Sequence, residues 1–426
     1  MEIESLADLP PDRRRELFER DAGIEGVREE VDRIVTRVSK EGDAAVRAYS
    51  EEFDDVSIGN IDVTGQLERA VDAIDSELRD AIRSAVDNVR TFHERQLRTD
   101  WRERIDGREL GRRFRPIDRV GAYVPGGTAA YPSSAIMTVT PAKVAGVEEV
   151  AVTTPPGDPV NNVTLAALSI AGADEVYQVG GAQAIAAMAY GTESIPSVLK
   201  IVGPGNPWVT AAKAAVRNQV EIDLLAGPSE ILVIADETAR PGFIAADLIA
   251  QAEHGPGSPC VLVTDDRSTA SAVLEELDAR MGRTRRTNTI EQALSHPASG
   301  VFLARSMSEA ISFAETFAPE HLSIQAADDE AILDRIHSAG SVFLGPHSPV
   351  AVGDYASGTN HVLPTGGTAR VTGGLSVDSF LRATTIQRLD ASSLTAISDT
   401  VTRLAEAEGL PAHAESVRVR RSQDPS

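Results

Sequence analysis

From residue 119 onwards, short β-branched runs alternate with alanine-rich stretches of helical length, and this alternation limits the fold more than any other feature. Strands joined through helices need long crossovers, so they run parallel in a sheet with helices on its faces. A first series predicts strands over residues 119–124, 149–154, 175–179, 199–202 and 220–224, with helices over 162–171, 182–190 and 207–218. A second predicts strands over 231–235, 259–264, 300–304, 321–325 and 341–344, with helices over 241–253, 268–281, 308–317 and 329–338. The series share a rhythm but no exact repeat, so the expected class is α/β with duplicated parallel sheets.

The flanks read as helical. Leu67, Val71, Ile74, Leu78, Ile82, Val86 and Val89 fall at spacings of three and four, which predicts one long amphipathic helix. Its stripe needs a covering surface, such as a second subunit. A shorter helix is expected over 31–49, helices over 377–389 and 391–408, and a short one over 412–420. The tail beyond Arg421 is expected to fray.

Charge and cysteine usage exclude several function classes. The net charge of −23 argues against nucleic acid and against anionic lipid, both of which require basic surfaces. No apolar run reaches the length of a membrane span, and residues 1–15 lack the apolar core of a signal peptide. The lone Cys260 rules out an intrachain disulfide and fits a reducing, cytoplasmic compartment. Its apolar run reads as a buried strand, not a nucleophile's setting. Lysine occurs only at positions 40, 143, 200 and 213, and such an acidic surface suits concentrated salt, where screening weakens self-repulsion.

Four clusters carry the candidate chemistry. The densest is residues 354–365, which bring an acid, an amide, an imidazole and hydroxyls between Gly353 and Pro364; this spacing predicts a polar loop. Gln251 and His254 lie three apart on a helix that should end at Gly255, so both could face one metal ion. On spacing alone an ordinary helix C-terminus with His254 against the dipole is the commoner arrangement, and Glu253 serves as well as Gln251. Glu320 and His321 open a strand and suit acid/base work, but adjacent strand residues point to opposite faces unless the backbone bends. The last cluster is 408–413, with Glu408 and His413. Gly-rich stretches after predicted strands, at 123–127, 179–183 and 203–206, could approach phosphates at a sheet's carboxyl edge. None is a G-x-G-x-x-G. A further stretch, 226–230, offers the hydroxyl of Ser229 between the two series.

Taken in order, YVPGG at Tyr123, PAKVAGV at Pro141, GGAQAIAA at Gly180, GPGN at Gly203, AGPSE at Ala226, QAEHG at Gln251, APEHL at Ala318, GDYASGTNHVLPT at Gly353 and EGLPAHAES at Glu408 closely resemble the histidinol dehydrogenase family. The likeness runs from Tyr123 to the C-terminus. The resemblance implies two incomplete Rossmann-like domains with parallel sheets plus N- and C-terminal helical extensions. Residues 1–107 would form a helical region, 108–230 and 231–372 the two α/β domains, and 373–426 a C-terminal helical segment swapped within a dimer. It implies oxidation of L-histidinol through the aldehyde to L-histidine with two NAD, at the last step of histidine biosynthesis.

By the same resemblance Gln251, His254, Asp354 and His413 would bind one Zn2+ per subunit, and Glu320 and His321 would be the acid/base pair. Ser229 and Glu408 would hold the substrate together with His321 and the metal ligands. Tyr123, Gln183 and Asn206 would contact NAD. His413 and Glu408 would come from the partner subunit of a homodimer. Thr128 and Ala130 depart from the family's usual residues, which bears on cofactor affinity. A dehydrogenase for another amino alcohol or polyol, a metal hydrolase using Glu320 as base, and a non-catalytic metal-binding protein are the rival readings.

Overall fold

This computed structural model describes residues 1–20, 23–126, 130–157, 159–282 and 284–421. Gly127 and Thr128 lie outside them, whereas Ala130 is described, in an irregular segment. The chain divides into two compact units, Met1–Gln96 with Asp118–Ser379, and Leu97–Ile117 with Phe380–Ser426.

The strands in chain order are β1 (Ile3–Ser5), β2 (Trp101–Ile105), β3 (Arg108–Pro116), β4 (Arg119–Tyr123), β5 (Glu149–Thr154), β6 (Glu175–Gln178) and β7 (Lys200–Val202). They continue with β8 (Glu221–Ile222), β9 (Ile231–Ala235), β10 (Cys260–Thr264), β11 (Gly300–Leu303), β12 (His321–Gln325), β13 (Ser341–Leu344) and β14 (Leu381–Arg388).

In the first unit one five-stranded sheet has the order β6-β5-β4-β7-β8 and one six-stranded sheet the order β1-β11-β10-β9-β12-β13. All pairings in both are parallel. Each series starts at a central strand, winds outward, then returns to the other side, so the expected duplication is real. The winding reverses between β4 and β7 and again between β9 and β12, the places where parallel sheets open a crevice.

Burial follows the two-residue period of a strand. In β9, Ile231, Val233 and Ala235 join one apolar cluster, while Leu232 and Ile234 join the cluster on the opposite face. Both faces are covered, so these strands read as continuous apolar runs. Cys260 belongs to the first of these clusters, with its Sγ 3.4 Å from the Leu248 carbonyl. Burial pushes its thiol well up, as expected of an inert strand residue.

The flanks depart from the sequence reading. Ile3–Ser5 is an edge strand on β11, whose pairing depends on a partner far along the chain. The long stripe is two helices, Leu67–Ala73 and Ser76–Glu94. Ile74 is extended, and the Asp75 carboxylate caps the second helix through the Leu78 N–H at 2.8 Å. The stripe packs on the chain's own helices Asn162–Ala171 and Pro132–Ala145, so no second subunit is needed to cover it. Gly42, at φ +55°, splits the expected 31–49 helix into Arg28–Glu41 and Asp43–Asp54.

The helix Pro132–Ala145 escaped the pattern because it is buried around most of its girth and contains Pro141. Thr287–Leu294 is a further helix that the pattern missed, and the helix expected over 329–338 ends at Leu333. The expected helix over 377–389 is mostly β14, which pairs antiparallel with β3, as does β2. Its Thr384-Thr385-Ile386 run is β-branched and favours a strand. The N- and C-terminal extensions are therefore not purely helical. The second unit's sheet, β14-β3-β2, is accompanied by the helices Ala391–Ala407 and Pro411–Arg421, close to expectation.

Candidate active site

The amino ends of β9 and β12 hold the candidate acid/base residues, and the backbone does bend there. Ala318 takes a left-handed φ of +48°, Pro319 follows, and β12 begins only at His321. Glu320 thus lies before the strand, free of its alternation. The Glu230 backbone, just ahead of β9, clamps both groups. Its N–H donates to Glu320 Oε2 at 2.9 Å, and its carbonyl accepts from His321 Nδ1 at 3.0 Å. Glu320 Oε2 and His321 Nδ1 are 3.5 Å apart.

These bonds set protonation. With Nδ1 donating, His321 presents Nε2 as its free acceptor, 3.8 Å from Asp354 Oδ1. Burial lowers the His321 pKa, with Asp354 opposing, so the ring is neutral and can take a proton. Burial raises Glu320 well above the usual carboxylate range, against the hydrogen bonds from Ser229 and the Glu230 N–H.

Gln251 is buried on the helix Pro241–Ala252, with His254 one turn on. Gln251 Nε2 donates to Ser229 Oγ at 2.9 Å, and Ser229 in turn bonds Glu320. The amide is thereby oriented, and its Oε1 is buried with no hydrogen-bond partner among the described residues. A buried acceptor left alone costs about 1–3 kcal/mol and calls for a donor or a cation.

Asp354 sits near the end of the short helix Val350–Tyr355, not in a loop as expected; the loop begins after it. Its carboxylate lies 3.9 Å from His254 Nε2, between that ring and His321. Partial desolvation lowers His254, with Asp354 opposing. Gln251, His254 and Asp354 offer an amide oxygen, an imidazole and a carboxylate, a donor set that suits a divalent ion, and the orphaned Oε1 supports the fit. Among the described residues no three His, Cys, Asp or Glu side chains already form a metal cage. The amide falls outside such a set, and His413 belongs to the second unit.

In that unit Glu408 caps the helix Ala391–Ala407, Gly409 makes the left-handed turn at φ +73°, and His413 lies in the helix Pro411–Arg421. Glu408 and His413 are both exposed.

Three residues at the site gave no individual signal. His361, within the polar stretch, donates from Nδ1 to the Asp354 carbonyl at 3.0 Å; burial lowers its pKa, with the Asp354 charge opposing. Glu230 was visible only as the neighbour of Ser229. Its carboxylate is buried and paired with Arg20 at 2.7 Å, and Arg20 stacks on Phe317. Burial raises Glu230 while Arg20 pulls it down. Nothing near Arg20 in the sequence marks it.

The remaining predicted residues meet in a cavity of about 390 Å³, lined by Tyr123, Gln183 and Asn206 together with Phe53, Asp54 and Trp208. Tyr123 closes β4, and Asn206 follows β7, so they flank the first sheet's reversal point. The Tyr123 hydroxyl accepts from the Gly181 N–H at 3.2 Å, and burial pushes its pKa up to about 12. Asn206 Oδ1 caps the helix Pro207–Val216 through the Val209 N–H at 3.1 Å. Gly203, at φ +116°, passes so close to the Tyr123 carbonyl that a side chain would strike it.

Comparison with known proteins points the same way. Residues 18–421 match the family model described as histidinol dehydrogenase. A histidinol dehydrogenase of Halobacterium salinarum is 65% identical over 99% of both chains. One of Natronomonas pharaonis is 64% identical, over 98% of this chain and 99% of that protein. The crystal structure of histidinol dehydrogenase from Elizabethkingia anophelis superposes with a TM-score of 0.92 at 38% identity, covering 97% of this chain and 96% of that one. With a family model spanning nearly its whole length and relatives this similar, the chain belongs to the histidinol dehydrogenase family.

Proposed function

We propose that this chain oxidises L-histidinol through the aldehyde to L-histidine, the last step of histidine biosynthesis, as a zinc-dependent, NAD-linked, cytoplasmic homodimer. The observation that carries the reading is the buried Glu320–His321 pair held by the Glu230 backbone beside Asp354. His321 Nε2 receives the alcohol proton in the first oxidation. Glu320, next to it and tuned upward by burial, takes a proton from the water that adds to the aldehyde. Ser229, hydrogen-bonded to Gln251 and Glu320, and Glu408 hold the substrate. With Cys260 buried and its thiol pushed up, the route uses no thiol.

Gln251, His254, Asp354 and His413 would hold Zn2+, which would supply a Lewis acid for orienting and polarising the substrate. Tyr123, Gln183 and Asn206 would hold NAD, which would supply the hydride acceptor for both oxidations. A partner copy supplies His413 and Glu408. Leu404 and Leu410, exposed in and beside the helix that leads to His413, support a covered face there. The net charge of −23 supports a protein working in high salt.

The test is NADH formation from L-histidinol in high-salt buffer, with the product identified, before and after chelation and zinc return. Two NADH per histidine, lost on chelation and restored by zinc, is the expected result. Absence of NADH from folded, zinc-loaded protein would overturn the reading, as would activity on other alcohols but not on histidinol.

A further inference from the structure

Asp54 is held in an unfavourable state on two independent counts, and the chain turns so as to leave it at the cavity. It is the last residue of the helix Asp43–Asp54, where a negative charge opposes the helix dipole. The following residue, Asp55, takes a left-handed φ of +55°, which turns the chain away and leaves Asp54 at the cavity. Its Oδ2 is buried, with no hydrogen-bond partner among the described residues.

Burial without a cation pushes the Asp54 carboxyl up to about 6, so it is still an anion at neutral pH. Among the described residues no hydrogen-bond partner offsets this arrangement at Asp54 Oδ2, whereas two fully buried carboxylates, Glu230 and Glu320, have partners: Glu230 has Arg20, and Glu320 has a backbone N–H. A buried acceptor that no protein donor reaches is satisfied by a ligand that brings donors.

The cavity's other walls narrow the ligand. Phe53 is 46% exposed, so one aromatic ring remains open next to the acid, and Trp208 is a second aromatic in the lining. The helices Gly181–Tyr190 and Pro207–Val216 begin at Gly181 and next to Asn206, both in the cavity lining. Their N-termini favour phosphate. Flat apolar rings, phosphate-directed helix ends and one acceptor-only carboxylate match a nucleotide with its ribose hydroxyls free.

We propose that Asp54 accepts the two hydroxyls of a ribose of the dinucleotide, and so selects NAD over its 2′-phosphorylated form. This rests on the reading of the cavity as the NAD site. A vicinal diol supplies two O–H donors to one carboxylate. A 2′-phosphate removes one donor and brings charge of the same sign to a half-buried anion. Asp54 is a specificity-determining residue here and takes no part in moving the hydride.

The test measures dissociation constants for NAD and NADP by titration calorimetry on the zinc-loaded protein, for the native sequence and for Asp54→Asn, Asp54→Ser, Gln183→Ala and Asn206→Ala. Asn keeps the shape and removes the charge, and Ser guards against a packing effect. The expected result is a preference for NAD in the native protein that falls about tenfold or more in both Asp54 variants, mainly through weaker NAD binding. If the ratio is unchanged while Gln183→Ala and Asn206→Ala weaken both cofactors, the cavity is the cofactor site and the role of Asp54 is wrong. Equal weakening of both cofactors in the Asp54 variants also overturns it, since the carboxylate would then meet a part common to both. If Gln183→Ala and Asn206→Ala leave NAD binding unchanged, the reading of the cavity fails and the inference with it.

Discussion

At the scale of single residues, environment decides what each titratable group can do. Glu320, the proposed base, is raised by burial while a backbone N–H and Ser229 keep it in place. Glu320→Gln retains the shape and loses proton transfer, so turnover is expected to fall by about 10²–10⁴-fold, with NAD affinity unchanged. Steady-state rates alongside NAD titration check this, and loss of both together would point to misfolding instead.

Asp247, buried on the helix Pro241–Ala252, illustrates the thermodynamic side. Burial raises its carboxyl from 3.8 to about 6. The native state therefore binds the proton more tightly than the unfolded chain, and stability falls as pH rises through that window. Asp247→Asn should remove this loss, raising stability by about 1–3 kcal/mol at pH 7 and little at pH 4. Denaturant melts at the two pH values decide it, and an equal effect at both would sink the idea. The candidates Gln251, His254, Glu320, His321 and Asp354 stood out by spacing and motif. Their neighbours Arg20, Glu230 and His361 were not, because contacts over long sequence separations leave no local pattern.

At the scale of elements, the site depends on how helices hold its loop. Asn88, on the helix Ser76–Glu94, donates to the Ala356 carbonyl at 2.9 Å. Asn360 donates to the Met137 carbonyl at 2.8 Å, tying the loop to the helix Pro132–Ala145. The apolar stripe thus docks a helix whose polar edge positions the loop after Asp354. Gly358, at φ +112°, would place a Cβ 2.8 Å from the Asn88 carbonyl. Gly358→Ala should cost more than about 1 kcal/mol of stability and raise KM for histidinol more than KM for NAD. Thermal melts with both KM values test this, and an unaltered KM for histidinol would show that the loop does not reach the substrate.

At the scale of the whole molecule, the question is which copy completes the site. If His413 acts across the interface, Glu320→Gln and His413→Ala proteins, each nearly inactive, complement one another after subunit exchange. Random pairing makes half the dimers mixed with one intact site each, so recovery should approach about a quarter of native activity. No recovery after verified exchange would place His413 in its own subunit's site. The acidic surface makes a second prediction at this scale. Melting temperature should rise from dilute buffer to molar KCl, where the Debye length shrinks to about 3 Å and self-repulsion is screened. A fall over that range would reject a high-salt habitat.

The sequence by itself determined the α/β class, the two parallel series, the bounds of strands such as Ile231–Ala235 and His321–Gln325, and the motifs that carry the candidate chemistry. These are local properties, set by side-chain period, turn residues and contiguous motif. Tertiary structure alone decided that Ile3–Ser5 joins β11, that residues 381–388 form a strand, and that the bend at Ala318 frees Glu320 from strand alternation. It also decided that Arg20 supports Glu230 and that Asp54 Oδ2 finds no hydrogen-bond partner among the described residues. Each of these depends on what lies opposite in space, and that is set by the packing of segments distant in the chain.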